Sequence, residues 1–212
     1  MQQKSVSKSV LKRLPGYLAY LRNMPADSSP YISATALANA LGMGEVQVRK
    51  DLAAVSDGGR PKVGYLRANL IEDMEQFLGY DYTNNAVLIG AGRLGMALLE
   101  HGGFAEYGLN IMAAFDVNPK VSTTEGGKPI LPMEMLDSYC RTHMIRMGII
   151  TVPADQAQSV CNQLIESGIK AIWNFAVIHL DVPDHILVQN ENMAASLAVL
   201  SMHLRVQMKE KK

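Results

Sequence analysis

Apolar residues recur near a 3.6-residue period across residues 6–24, at Val10, Leu11, Leu14, Leu18 and Leu21. Lys12, Arg13 and Arg22 occupy the other side, which predicts an amphipathic helix that Pro15 kinks or restarts. After a loop over residues 25–30, Ser33 is placed to cap a short helix reaching Leu41, and Gly42 supplies a turn. A third helix is predicted over residues 44–55, burying Val48 and Leu52, and another amphipathic helix over residues 70–78. Beyond that point the period changes. Short apolar runs at residues 86–89, 111–115, 147–151 and from Ala171 alternate with helical stretches that open at Met96 and cover residues 154–167, where Pro153 suits the first helical position. Residues 192–208 read as a final helix. Met193, Leu197, Leu200 and Leu204 line one face, but Ala194, Ala198, Val199, Met202 and Val206 spread apolarity nearly all round.

These patterns divide the chain. Two short helices around a glycine turn, followed by Asp57-Gly58-Gly59-Arg60-Pro61-Lys62-Val63-Gly64-Tyr65 as a hairpin wing, predict a winged helix-turn-helix module over residues 1–80. Alternating strands and helices over residues 81–190 predict an α/β domain built on a doubly wound parallel sheet. Residues 191–212 form a terminal helix that needs cover on several sides. Either it inserts into a partner subunit by domain swapping, or it packs on its own sheet.

The chemistry is concentrated at Gly90-Ala91-Gly92-Arg93-Leu94-Gly95, a glycine-rich turn that leaves one predicted strand and opens a helix. Gly90 allows the sharp turn, Gly92 lets backbone approach a pyrophosphate, and Gly95 lets the helix pack close to the sheet. Phosphates would sit on the helix N-terminus, where unpaired N–H groups favour anions. Asp116 ends the next strand 21 residues after Gly95, at the distance expected of an acid that accepts hydrogen bonds from an adenosine ribose. It repels a 2′-phosphate and so favours NAD(H) over NADP(H), while Lys120 nearby leaves room for one; Val117 beside it is a further cofactor-binding candidate. Thr151, Val152 and Pro153, and Asn174 with Phe175, fall at carboxyl ends of strands and are candidates for the nicotinamide side of a Rossmann-like pocket. A glycine-rich turn with no ligand is the plain alternative.

Composition sharpens the division. The 212 residues carry no net charge, yet residues 1–70 hold 10 Lys or Arg against 4 Asp or Glu, and the remainder 10 against 16. The front module is therefore basic, the sign expected of something that meets phosphate backbones. Its third helix presents Gln47, Arg49 and Lys50 away from the buried Val48 and Leu52. Arg reads guanine and Gln reads adenine by paired hydrogen bonds in a major groove. Arg60 and Lys62 on the wing are placed for phosphates or the minor groove. A three-helix protein-docking module is the alternative. Cys140 and Cys161 form no metal or disulfide pattern, no signal peptide or membrane span is legible, and a cytoplasmic protein without metal is expected.

Arg13-Leu14-Pro15, Tyr20-Leu21-Arg22, Val48-Arg49-Lys50-Asp51-Leu52, Val63-Gly64-Tyr65, the glycine turn, Phe115-Asp116-Val117-Asn118, Thr151-Val152-Pro153, Gly168-Ile169-Lys170, Asn174-Phe175-Ala176 and Leu180-Asp181-Val182-Pro183 follow one another in order. In these runs the chain resembles the redox-sensing transcriptional repressors of the Rex family over nearly its full length. The resemblance implies a winged helix, a Rossmann-like domain, a terminal helix exchanged within a homodimer, and an inverted-repeat operator released when NADH binds and NAD⁺ is displaced. It also implies a switch in which a Tyr and an Asp are linked, the Asp alternatively engaging an Arg of the first helix that matches Arg22. Here His101 stands where the family often has that Tyr, Asn192 where it usually has the Asp, and Val177 where Pro is common. A weak or altered discrimination of NADH from NAD⁺ is the expectation.

Catalysis is the competing class. Hydride transfer needs a substrate site and a placed acid or base, but only residues 174–212 follow the predicted sheet, and no Tyr precedes a Lys by four. His101, His143, His179, His185 and His203 show no ligand spacing. No enzyme is expected.

Overall fold

The computed structural model describes residues 6–210 and divides into two compact units, Met1–Tyr82 and Thr83–Lys212. In the first, α1 (Lys8–Arg22) buries Leu14, Tyr17, Leu18 and Leu21, its one apolar stripe. It runs unbroken through Pro15. The carbonyl that loses a donor there belongs to Leu11, on the side of the helix where solvent replaces it: Leu11 is 39% exposed. β1 (Tyr31–Ile32) precedes α2 (Ala34–Ala40), whose N-cap is Ser33, accepting from the Ala36 N–H at 3.0 Å. α3 (Glu45–Val55) follows, and after the wing β2 (Tyr65–Leu66) pairs antiparallel with β1 before α4 (Arg67–Leu78). Val48, Leu52, Leu37, Ile32, Tyr65, Leu70 and Met74 close one core with the α1 stripe.

The wing is a tight turn in which the Arg60 and Gly64 backbones exchange two hydrogen bonds of 2.9 Å each. Gly64 is obligatory: its φ is +94°, and a Cβ there would lie 2.3 Å from the Ile32 carbonyl oxygen.

The second unit is a six-stranded parallel sheet. Its strands are β3 (Asn84–Ile89), β4 (Leu109–Asp116), β5 (Ile130–Pro132), β6 (Met147–Ile150), β7 (Ala171–Asn174) and β8 (Leu187–Asn190), in spatial order β5-β4-β3-β6-β7-β8. α5 (Arg93–Glu100) follows β3, α6 (Leu136–Thr142) precedes β6, and α7 (Ala154–Glu166) joins β6 to β7. Alternate residues of β3 face opposite layers. Ala86 and Leu88 pack with Leu99 of α5, while Val87 and Ile89 pack with Leu136, Cys140, Cys161 and Leu164 of α6 and α7.

α8 (Met193–Glu210) departs from the reading in which the terminal helix packs on its own sheet. Every residue from Asn192 to Lys209 is exposed, with Met193 at 66%, Leu200 at 65% and Met208 at 66%.

Candidate functional sites

The winding of the sheet reverses between β3 and β6, and the crevice beyond their carboxyl ends is where such a sheet binds ligands. A cleft of about 420 Å³ opens there. The three glycines at its edge differ in kind. Gly90 has φ +101° and no room for a Cβ, which would meet Val152 at 2.9 Å. Gly95 presses the helix onto the loop so closely that a Cβ would stand 1.9 Å from the Gly90 carbonyl oxygen. Gly92, the N-cap of α5, has nothing within 4 Å of that position, so its open side faces the cleft. The amides that follow it are those a helix leaves without internal acceptors.

Asp116 does more than end a strand. One carboxylate oxygen accepts the Ala91 N–H at 2.8 Å and the other the Asn118 N–H at 2.9 Å, so the acid shapes the glycine turn and keeps lone pairs for a ligand. The Thr151 hydroxyl donates to the Ile89 and Gly90 carbonyls at 3.0 and 2.8 Å, holding the turn from the β6 side.

Gly90, Gly92, Asp116, Val117, Thr151, Val152 and Pro153 line the cleft together. Ala91, Arg93, Leu94, Gly95 and Lys120 are not among the lining residues, though Ala91 serves through its amide. Asn174 and Phe175 are not brought there either. Asn174 is fully buried, donating to the Ala176 and Ile178 carbonyls and to Asn190 and accepting from the Ala176 N–H, so its amide fixes the end of β7 against β8. Phe175 stacks on Trp173, centroids 4.7 Å apart. The sequence reading missed Met133 and one face of α7, Gln156, Ser159, Val160 and Gln163. Their spacing of three, four and seven residues is the signal that marks a common helix face.

In the first unit α3 is locked to α1 by a buried carboxylate. Asp51, 3% exposed, receives Nε and a terminal nitrogen of Arg13 at 2.8 Å each and the Tyr17 hydroxyl at 2.8 Å. Burial and that carboxylate push the Tyr17 phenol up to about 12. Arg13 was expected on the polar side of α1; the long side chain instead reaches across to α3. Gln47 is exposed beside that guanidinium, and turning its amide brings the side-chain oxygen to 2.9 Å from an Arg13 terminal nitrogen. Arg49 pairs with Glu45 one turn earlier on the exposed side, and Lys50, Arg60 and Lys62 are exposed.

Comparison with known proteins finds matches in both units. Residues 5–53 match the family model described as "Putative DNA-binding protein N-terminus", and residues 81–178 the CoA binding domain. Redox-sensing transcriptional repressor Rex of Porphyromonas gingivalis is 41% identical over 92% of this chain and 90% of its own length. That of Treponema denticola is 40% identical over 94% of this chain and 95% of its own. This chain belongs to the Rex family. RSP, a Rex-family repressor solved with β-NAD⁺ and operator DNA, matches with TM-score 0.88 at 33% identity, over 98% of this chain and 96% of that one. The RSP complex with β-NADH gives 0.86 at 32% identity over 97% of each.

Within this Rex-family chain the three switch positions make local contacts. Arg22 forms a 2.8 Å ion pair with Glu75 inside its own unit. His101 ends α5 and sets its ring edge-on to Phe104 at 4.8 Å. Asn192 caps α8, its side-chain oxygen accepting the Ala195 N–H at 3.0 Å.

Proposed function

We propose that the chain is a homodimeric repressor that binds an inverted-repeat operator and answers to NAD(H) in the crevice between β3 and β6. The observation that carries this reading is the division of labour among Gly90, Gly92 and Gly95 beside Asp116. Only Gly92 has free space on its Cβ side, where a pyrophosphate would lie against the α5 N-terminus. Asp116 would take the ribose hydroxyls. Asp155, lining the same cleft, adds a second negative charge that opposes a 2′-phosphate, and Lys120 is not in the lining to offset it. NAD(H) is thus favoured over NADP(H).

DNA contact is assigned to α3 and the wing. Lys50 and Arg49 meet the major groove, Gln47 donates from the α1 flank, and Arg60 and Lys62 hold phosphates. Dimerisation is assigned to α8, whose exposed Leu197, Leu200 and Leu204 have no counterpart in a helix that stays in water. A DNA-binding protein of this class works in the cytoplasm. Among the described residues no helix is long and apolar enough to cross a membrane. The cleft lining holds no His, Cys, Lys or Tyr to partner hydride transfer, which favours a sensor over an oxidoreductase.

A second reading concerns the switch. Because Arg22 already has Glu75 and Asn192 lacks a carboxylate, the operator is released by NADH less sharply than a Tyr–Asp–Arg relay would give. Fluorescence anisotropy on an inverted-repeat duplex, titrated separately with NADH and NAD⁺, tests both. Release by NADH alone supports a full redox switch; equal release by both forms supports the altered one; no DNA binding defeats both.

A further inference from the structure

α3 exposes Val46, Gln47, Arg49, Lys50 and Ala53, of which Val46, Lys50 and Ala53 form the middle stripe at spacings of four and three residues, with Arg49 and Gln47 on its two flanks. Val48, Asp51 and Leu52 face inward. Gln47 lies at the edge of the outward face nearest Arg13 of α1. Opposite the buried Val48, Asp51 and Leu52, the centre of the outward face is Val46 and Lys50, with Gln47 at its edge. Val46 is 63% exposed while Val48 and Leu52 of the same helix are fully buried. A single exposed valine ordinarily carries no meaning. This one stands in the first turn of the helix, the part that enters a major groove, and is followed one turn later by a lysine on the same stripe.

The geometry points to Val46 as a base-reading residue that packs on the C5-methyl of a thymine in each operator half-site. Thymine is the base that offers an apolar group in the major groove, and a branched aliphatic side chain with no polar atom discriminates there only by that contact. The exposed Gln47 amide beside it adds a donor to a purine or thymine acceptor. The assignment rests on the proposal that α3 is the groove helix.

The test starts from the tightest inverted repeat that the full-length protein selects from a random duplex pool. Each thymidine is replaced in turn by deoxyuridine, which removes only the methyl. Wild-type protein is expected to lose about fourfold in affinity at one position per half-site and about fifteenfold when the symmetric pair is replaced, the worth of burying one and two methyl groups. Val46→Ala is expected to bind the thymidine and deoxyuridine duplexes alike at that position, with unchanged NADH affinity and melting temperature showing that it is folded. A deoxyuridine scan that is silent for wild type, or a penalty that persists undiminished in Val46→Ala, overturns the proposal. Lys50→Ala separates the two levels. Loss of operator affinity with Lys50→Ala but no effect of Val46→Ala overturns the methyl contact alone. No effect of either variant overturns the placement of α3 as well.

Discussion

Gly92 and Gly95 are both glycine and stand three residues apart, yet substitution separates them. Gly92→Ala has free space for its methyl in the protein but not beside a bound pyrophosphate; its melting temperature should match wild type while NADH affinity falls at least about tenfold, consistent with loss of a close backbone–phosphate approach. Gly95→Ala forces a Cβ into the Gly90 carbonyl and should destabilise the second unit itself, seen as a lowered urea midpoint before any ligand is added. Asp51 is the corresponding residue in the first unit. Asp51→Ala leaves the Arg13 guanidinium and Tyr17 hydroxyl without their shared acceptor. Removing one partner of a fully buried pair costs roughly 3–5 kcal/mol. Arg13 is 22% exposed and partly solvated, so the loss on denaturant unfolding is expected at about 2 kcal/mol. The motif Val48-Arg49-Lys50-Asp51-Leu52 was visible as sequence; that its acid points inward to Arg13 was not, because a 38-residue separation leaves no periodic trace.

Elements with a strong period were legible and short ones were not. α3, α7 and β3 coincide with the patterns that predicted them to within about two residues. β5 has three residues and ends in Pro132, which suits an edge, and β8 has four, so neither carries enough alternation to be recognised. α8 shows the reverse case. Its all-round apolarity foretold burial, and the single chain leaves it bare. Leu197→Glu combined with Leu204→Glu is therefore expected to yield monomers by sedimentation velocity, and wild type dimers, with NADH binding used to check that the sheet domain is intact. Dimers that survive both charges would show that α8 is not the dimer contact.

For the whole molecule, the two units carry different alkaline limits. In the second, burial raises the Cys140 thiol from 9.0 to about 11, and in the first Tyr17 rises from 10.0 to about 12. Both are neutral when folded, so each contribution is complete below the unfolded value and is lost as pH climbs through the folded one. The second unit should weaken between pH 9 and 11 and the first between 10 and 12. Thermal melts followed across that range should show Cys140→Ala flattening only the earlier loss; coincident losses that ignore the substitution would refute the assignment.

The sequence by itself determined the fold class, the basic front module, the glycine turn with its acid and the family, because these rest on local periods, compositions and spacings along the chain. Tertiary structure alone decided which side chains face the cleft, that the Asn174 amide is buried against Asn190, that Arg22 answers Glu75 and that Arg13 reaches Asp51. The Asn174–Asn190, Arg13–Asp51 and Arg22–Glu75 contacts join residues 16, 38 and 53 apart, and a hydrogen bond between distant residues is fixed only when packing has brought their elements together.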